Sequence, residues 1–286
     1  MWPELIALFS SMGWAADSIL VRKGARDSHV FSAAFLSYIV TTVSLWTYIA
    51  VSLPFHLLWT RASLYFMLSG CLQPLLARLL HYVGITRLGV SVAAPLRSSS
   101  PLFAVFLAVL FLSERPSPFI FGGATLTVTG VWVILWRPGQ KRHWKAMDVL
   151  FPFGAALTAA VSQVLRRTGL LLLPNPFVGA AITTSTSLLL FLISVLVTGK
   201  TALIVPRRAS LPFFGSSAFV SALSQFLAFL ALSRGEVSIV APLINTTPFF
   251  AVLFSAMFLR DVERVTGRLY LGAILLVGGV ALITAG

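Results

Sequence analysis

The stretch VSVAAPLRSSSPLFAVFLAVLFLSE at residues 90–114 returns, without a gap, as VSIVAPLINTTPFFAVLFSAMFLRD at residues 237–261. Eleven of the twenty-five positions are identical, among them Pro95 with Pro242, Pro101 with Pro248 and Phe103-Ala104-Val105 with Phe250-Ala251-Val252. Most other exchanges are apolar for apolar, and Glu114 is answered by Asp261. Chance does not give agreement of this length, so the chain carries an internal duplication.

The same shift of 147 places Arg61-Ala62-Ser63-Leu64 on Arg208-Ala209-Ser210-Leu211 and Arg87 on Arg234. A shift of 149 brings Gly123-Ala124 and Gly130-Val131 onto Gly272-Ala273 and Gly279-Val280. A shift of 144 brings Ala15-Ala16, Ser18 and Arg22-Lys23 onto Ala159-Ala160, Ser162 and Arg166-Arg167. The duplication therefore spans nearly the whole chain, with small insertions in the loops.

Apolar runs fall near 3–21, 30–53, 62–86, 89–112 and 117–136, and again near 147–167, 175–198, 209–233, 236–259 and 267–284. Hydrophobic residues make up 58% of the 286 positions, charged residues 10%, and the mean hydropathy is +0.94, which leaves no polar shell for a water-soluble domain. Backbone polar groups in hydrocarbon must be satisfied within the segment, so each run reads as a spanning helix. The fold expected is an all-α integral membrane protein of ten transmembrane helices. It divides into a first five-helix repeat at 1–136, a basic connecting loop at 137–146 and a second five-helix repeat at 147–286. The run after Met1 lacks a basic leader and reads as a retained first helix.

Five spans per unit is an odd number, so the second unit enters the membrane from the opposite side and the two form inverted repeats. Such a pair has two nearly equivalent arrangements, open to one face or the other, which is the basis of alternating access.

Charge and cysteine usage narrow the function further. The formal charge of +13 comes from Lys and Arg lying almost wholly between apolar runs, the pattern of loop charges that orient a membrane protein, so nucleic acid is not an expected partner. Cys71 is the only cysteine, and it lies within an apolar run, which excludes an intrachain disulfide and a multi-cysteine metal site. His29, His56, His81 and His143 are far apart and the eight acidic residues are scattered, so no HExxH helix or aspartate-rich motif can be drawn. No metal, cofactor or enzymatic activity is expected.

Ionisable groups inside a span are costly and mark a wet path or a pair. Asp17, Arg78, His81 and Arg97 sit well inside their runs, whereas Glu4, Arg22, Arg61, Arg87, Glu114, Arg234 and Asp261 lie near ends and have a structural role there. Arg97 lies between Pro95 and Pro101, which each remove a backbone donor and free the carbonyls of Ser91 and Arg97. Irregular backbone at membrane depth faces protein or water, so this segment and its echo at Pro242 and Pro248 are expected to face the interior. Ser98 adds a hydroxyl there; Asn245 stands opposite it in the repeat, Thr246 follows Asn245, Ile244 is opposite Arg97, and Gln225 is opposite Arg78. Gln163 is a further amide in a span.

Two guanidinium groups against one carboxylate favour an anionic or zwitterionic solute read by bidentate Arg contacts. The structural alternative for Asp17 is an ion pair with Arg78 or Arg97; for the amides it is interhelical hydrogen bonding. His81, three residues after Arg78 on the same helical face, either relays protons as a coupling ion or hydrogen-bonds a neighbour.

The segments at 100–115 and 247–261, each ending in an acidic residue, and the glycine-spaced last helix of each unit resemble the ten-helix EamA-like branch of the drug/metabolite transporter superfamily. In its first helix that family often carries Trp-Gly-Ser-Asn and a basic residue eight positions after the Trp; here Trp14-Ala15-Ala16-Asp17 and Arg22 stand in those places, with Ala for Gly and Asp for Asn. The resemblance implies secondary transport of an organic solute by a bacterial or archaeal cell-membrane protein, and it adds Trp14 to the solute-binding candidates. The rival readings are a flippase for a lipid or lipid-linked phosphate, because a basic cavity also accepts a phosphorylated headgroup, and, further off, an intramembrane enzyme. The expected partners are thus a small solute, membrane lipid and protons.

Loops after odd-numbered helices hold fourteen Lys and Arg, including Arg137, Lys141, Arg142 and Lys145. Those after even-numbered helices hold Arg61, Arg115, Arg166, Arg167 and Arg234. This bias places both termini outside the cell. The family resemblance implies both termini inside.

Overall fold

The computed structural model describes residues 2–52, 60–88, 90–135, 145–258 and 267–285. The basic stretch 137–144, His56, Trp59, Trp136 and Asp261 lie outside the described residues. Among those described the chain is helical, without strands: α1 Pro3–Gly24, α2 Val30–Ser52, α3 Arg61–Gly70, α4 Ala77–Leu88, α5 Val90–Arg97, α6 Ser100–Leu112 and α7 Pro118–Leu135 precede the 137–146 stretch. After it come α8 Leu150–Leu172, α9 Pro176–Val197, α10 Leu211–Arg234, α11 Val237–Ile244, α12 Thr247–Phe258 and α13 Gly267–Ala285.

Seven helical stretches among the described residues are long and apolar enough to cross a membrane: Pro3–Gly24, Val30–Ser52, Arg61–Leu88, Met147–Leu172, Pro176–Val197, Thr201–Arg234 and Val237–Phe254. Shorter apolar helices cover Ser100–Leu112, Pro118–Ile134 and Leu271–Ala285. The distribution of side chains suits lipid rather than water. Phe106, Phe111 and Ile274 stand 64–68% exposed, while Ser10, Ser11, Ser69, Ser162, Ser217 and Thr183 are fully buried. Between helices in lipid, small and hydroxyl-bearing residues let backbones approach and supply the hydrogen bonds.

Each helix break follows from a proline. Gln73 precedes Pro74, whose ring pushes the preceding residue out of the α region, and Gln73 accordingly has φ −135° and ψ 131° between α3 and α4. Pro74 has no N–H for the Gly70 carbonyl, which accepts instead from the Ser187 hydroxyl at 3.0 Å. The neighbouring Ser69 carbonyl accepts from Ser162 at 3.3 Å.

The α5/α6 and α11/α12 breaks are built alike. Ser99 N–H bonds the Leu96 carbonyl and Thr246 N–H bonds that of Leu243, both at 3.2 Å. Their hydroxyls donate to those same carbonyls at 2.6 and 2.7 Å. The Ile244 carbonyl, deprived of a donor by Pro248, takes the Thr247 hydroxyl at 2.8 Å. Ser100 Oγ then donates to Asn245 Oδ1 at 3.2 Å and joins the two breaks directly.

The principal packing pairs are α7 with α13, α1 with α10, α2 with α10, α3 with α8, α6 with α8, α4 with α8, α1 with α12, α2 with α9, and α3 with α9. α7 and α13 run antiparallel, since Gly123 meets Gly279 while Gly130 meets Gly272. Glu114, buried at the end of α6, accepts from Val237 N–H at 2.8 Å and Ser238 N–H at 2.9 Å and so caps α11. Its structural role at a helix end is as the sequence implies.

Candidate functional site

The broken helices converge on a cavity of about 680 Å³, walled by α1, α2, the α3–α4 break, α4, α5, the start of α6, α8, α9, α10, α11 and α12. Trp14 and Asp17 reach it from α1, Arg78 and His81 from α4, and Arg97 and Ser98 from the end of α5. Gln163 reaches it from α8, Gln225 from α10, and Asn245 and Pro248 from the second break.

Thr246 does not join them. One residue past Asn245, its side chain turns away into the contact with α1, fully buried, where its hydroxyl meets Ser11 Oγ at 2.9 Å. Pro101 and Pro242 are buried within their helices and act through the backbone they interrupt. Pro95 lies in α5, before the break.

Asp17 accepts a hydrogen bond from Ser217 of α10, a fully buried residue. Arg78 lies near enough to attract the carboxylate electrostatically. The Ser217 hydroxyl is thus a hydrogen-bond partner that positions Asp17.

Three guanidinium groups line the cavity where the sequence offered two, because Arg166 of α8 is among them. Sequence reading assigns Arg166 and Arg167 to a loop, and the structure corrects this: α8 continues to Leu172, and Arg166 is 6% exposed. The apolar run Gly169–Leu173 just beyond them is the signal that the helix goes on. Gln73 and Thr184 also line the cavity without having been expected. The Gln73-Pro74 dipeptide marks the first, whereas a threonine in an apolar helix gives no sign of which way it points.

Four residues that line this cavity each carry a buried polar atom without a hydrogen-bond partner among the described residues: Gln73 Oε1, His81 Nδ1, Gln163 Oε1 and Thr184 Oγ1. Buried polar atoms are nearly always satisfied, so four such atoms on residues of one cavity wall set this region apart from most of the interior. Among the described residues no cluster of three His, Cys, Asp or Glu could hold a metal ion.

The sequence matches a family model, the EamA-like transporter family, over residues 1–136 and 147–285. It is 26% identical over 281 residues to an uncharacterized transporter of Archaeoglobus fulgidus, covering 98% of this chain and 96% of that one. A solved crystal structure of another protein superposes with a TM-score of 0.81 at 16% identity, covering 99% of this chain and 97% of the other, which establishes a shared fold. With apolar spanning helices around a polar interior and a family match over both long segments, this chain belongs to the EamA-like transporter family and is an integral membrane transporter of a small-molecule solute.

Proposed function

We propose that the protein is a secondary transporter, not an enzyme, which carries a small anionic or zwitterionic organic metabolite by alternating access through the central cavity. The observation that carries this reading is the meeting of two matching helix breaks, Ser98–Ser99 and Asn245–Thr246, at one cavity with an excess of cationic side chains. Arginine forks recognise carboxylate and phosphate, and Asp17 supplies a place for an ammonium group.

The packing supports a ten-span inverted repeat. Exchanging the units, so that α1 trades with α8, α2 with α9, α3 and α4 with α10, α5 and α6 with α11 and α12, and α7 with α13, turns the α1–α10 contact into α3–α8. It also turns α2–α10 into α3–α9 and α6–α8 into α1–α12. A structure built of self-exchanging contacts can rock between two arrangements of nearly equal energy, which alternating access requires.

The test begins with a thermal-shift screen of amino acids, organic acids and phosphorylated metabolites on the purified protein, followed by uptake of the hits into proteoliposomes. Saturable uptake is expected, and Arg97→Gln is expected to abolish solute binding. Retained affinity in that variant would reject the role of Arg97. Movement of a labelled lipid without solute uptake would replace the reading with a flippase. A pH gradient imposed across the same liposomes tests proton coupling through His81 and Asp17.

A further inference from the structure

We infer that Arg166 is the group that takes the anionic end of the solute, a carboxylate or a phosphate, with Gln163, Thr184 and Gln73 completing the hydrogen bonds around it. The inference rests on the cavity being the solute path, and it names a site outside the α5/α6 and α11/α12 breaks.

The head of Arg166 is fixed before any ligand arrives. Its Nε donates to Ser69 Oγ at 2.9 Å, and its guanidinium carbon stands 5.1 Å from the centroid of the Phe229 ring. Ser69 is itself held by Ser162 Oγ at 2.8 Å. One edge and one face of the guanidinium are thereby occupied, while among the described residues the Nη donors of Arg166 meet no hydrogen-bond acceptor and the side chain joins no ion pair. The free side of the fork belongs to a residue that lines the cavity, and it suits bidentate recognition of a planar or tetrahedral anion.

Burying a cation without an anion is among the most costly arrangements in a membrane interior. A leucine at this position would satisfy the packing without that cost. The surroundings also point to a ligand. Gln163 lies one turn before Arg166 on the same helical face, 7% exposed, and Thr184 faces the cavity from α9, 5% exposed; both carry an unpartnered oxygen. Gln73, set at the α3–α4 break, carries another. The threonine hydroxyl donates or accepts as the ligand requires, and rotation of either glutamine amide turns an N–H toward an anion.

Thermal stability of the purified full chain in detergent would be followed against sodium succinate and inorganic phosphate, at fixed sodium concentration and ionic strength, with chloride as reference. A saturable rise is expected with at least one anion, and which one responds distinguishes carboxylate from phosphate. Arg166→Gln is expected to raise half-saturation by at least about thirtyfold, the loss typical of truncating one partner of a buried charge pair. Arg167→Gln, whose guanidinium instead bonds the Leu232 carbonyl at 2.7 Å, is expected to respond as the parent does.

A merely structural Arg166 would make Arg166→Met melt lower without anion; as a ligand group, its removal leaves the melting temperature equal or higher. If the glutamine variant does not fold, Arg166→Lys keeps the charge and loses the fork, and unchanged half-saturation in it would overturn the inference. So would a parent protein indifferent to both anions. Anion binding without transport in liposomes would sink the transport reading and leave this site standing. Transport untouched by Arg166→Gln would do the reverse.

Discussion

Gly123 presents its bare α-carbon to the carbonyl of Gly279 so closely that an added Cβ would stand 2.6 Å from that oxygen, and Gly279 returns the contact on the Gly123 carbonyl at 2.7 Å. Gly130 and Gly272 repeat the arrangement at 2.7 and 2.8 Å. A backbone oxygen cannot swing aside as a side chain can, so even one methyl group forces α7 and α13 apart. Gly123→Ala and Gly279→Ala are each expected to destabilise the protein by about 1 to 3 kcal/mol, as overpacking does. Gly122→Ala, with nothing within 4 Å of its Cβ, is the control and is expected to melt with the parent. Equal melting of Gly123→Ala and Gly122→Ala would show that the glycine contact does not matter.

Asp17 and Thr246 separate binding from packing. In Asp17→Asn the amide oxygen still accepts from Ser217, so stability is expected to hold while solute uptake falls by at least about tenfold through loss of the charge. Thr246→Ala removes a hydroxyl shared between Ser11 and the Leu243 carbonyl. It is expected to cost about 1 kcal/mol of stability and to leave the apparent solute affinity unchanged. Melting curves and uptake kinetics measured on both variants would expose either assignment if the two effects came out exchanged.

The carboxylate of Glu114 satisfies two N–H groups at the start of α11, tying residues 123 and 124 positions apart in sequence. Glu114→Gln leaves one oxygen for two donors and removes the charge that complements the helix dipole. A loss of about 1 to 2 kcal/mol is expected, measured by thermal or denaturant unfolding in detergent. Glu114→Asp, which keeps the charge on a shorter arm, is expected to fall between the two.

Legibility in the sequence follows from which physical rule each residue obeys. Proline acts on backbone hydrogen bonds wherever it stands, so Pro95, Pro101, Pro242 and Pro248 marked α5/α6 and α11/α12 as broken helices from the sequence alone, and both breaks are present. Arg78, Arg97 and Asn245 reach the cavity because polar groups in mid-span have nowhere cheaper to go. Thr246 carries the same kind of signal and fails, since a hydroxyl finds a carbonyl partner as readily in a helix contact as in a cavity. Arg166 was hidden because a basic pair after an apolar run looks like a helix end. The tertiary contacts with Ser69 and Phe229, which the sequence does not display, hold this cation inward on α8.

Placing Arg166 and Arg167 within α8 also changes the charge count that orients the chain. Without them the loops after even-numbered spans keep only Arg61, Arg115 and Arg234, against fourteen Lys and Arg on the other side. Arg22 and Lys23 fall in the last turn of α1, where their long side chains still reach the headgroups. On a ten-span reading, the positive-inside rule then puts the 137–146 stretch in the cytoplasm and both termini outside. A fluorescent reporter that matures only in the cytoplasm, fused after Gly286, is expected to stay dark, and a phosphatase active only outside is expected to work there. Fluorescence at Gly286 would mean that the basic stretch crosses to the outer face. The cations at that face would then have to be explained by something other than insertion, such as binding to anionic headgroups of the outer leaflet.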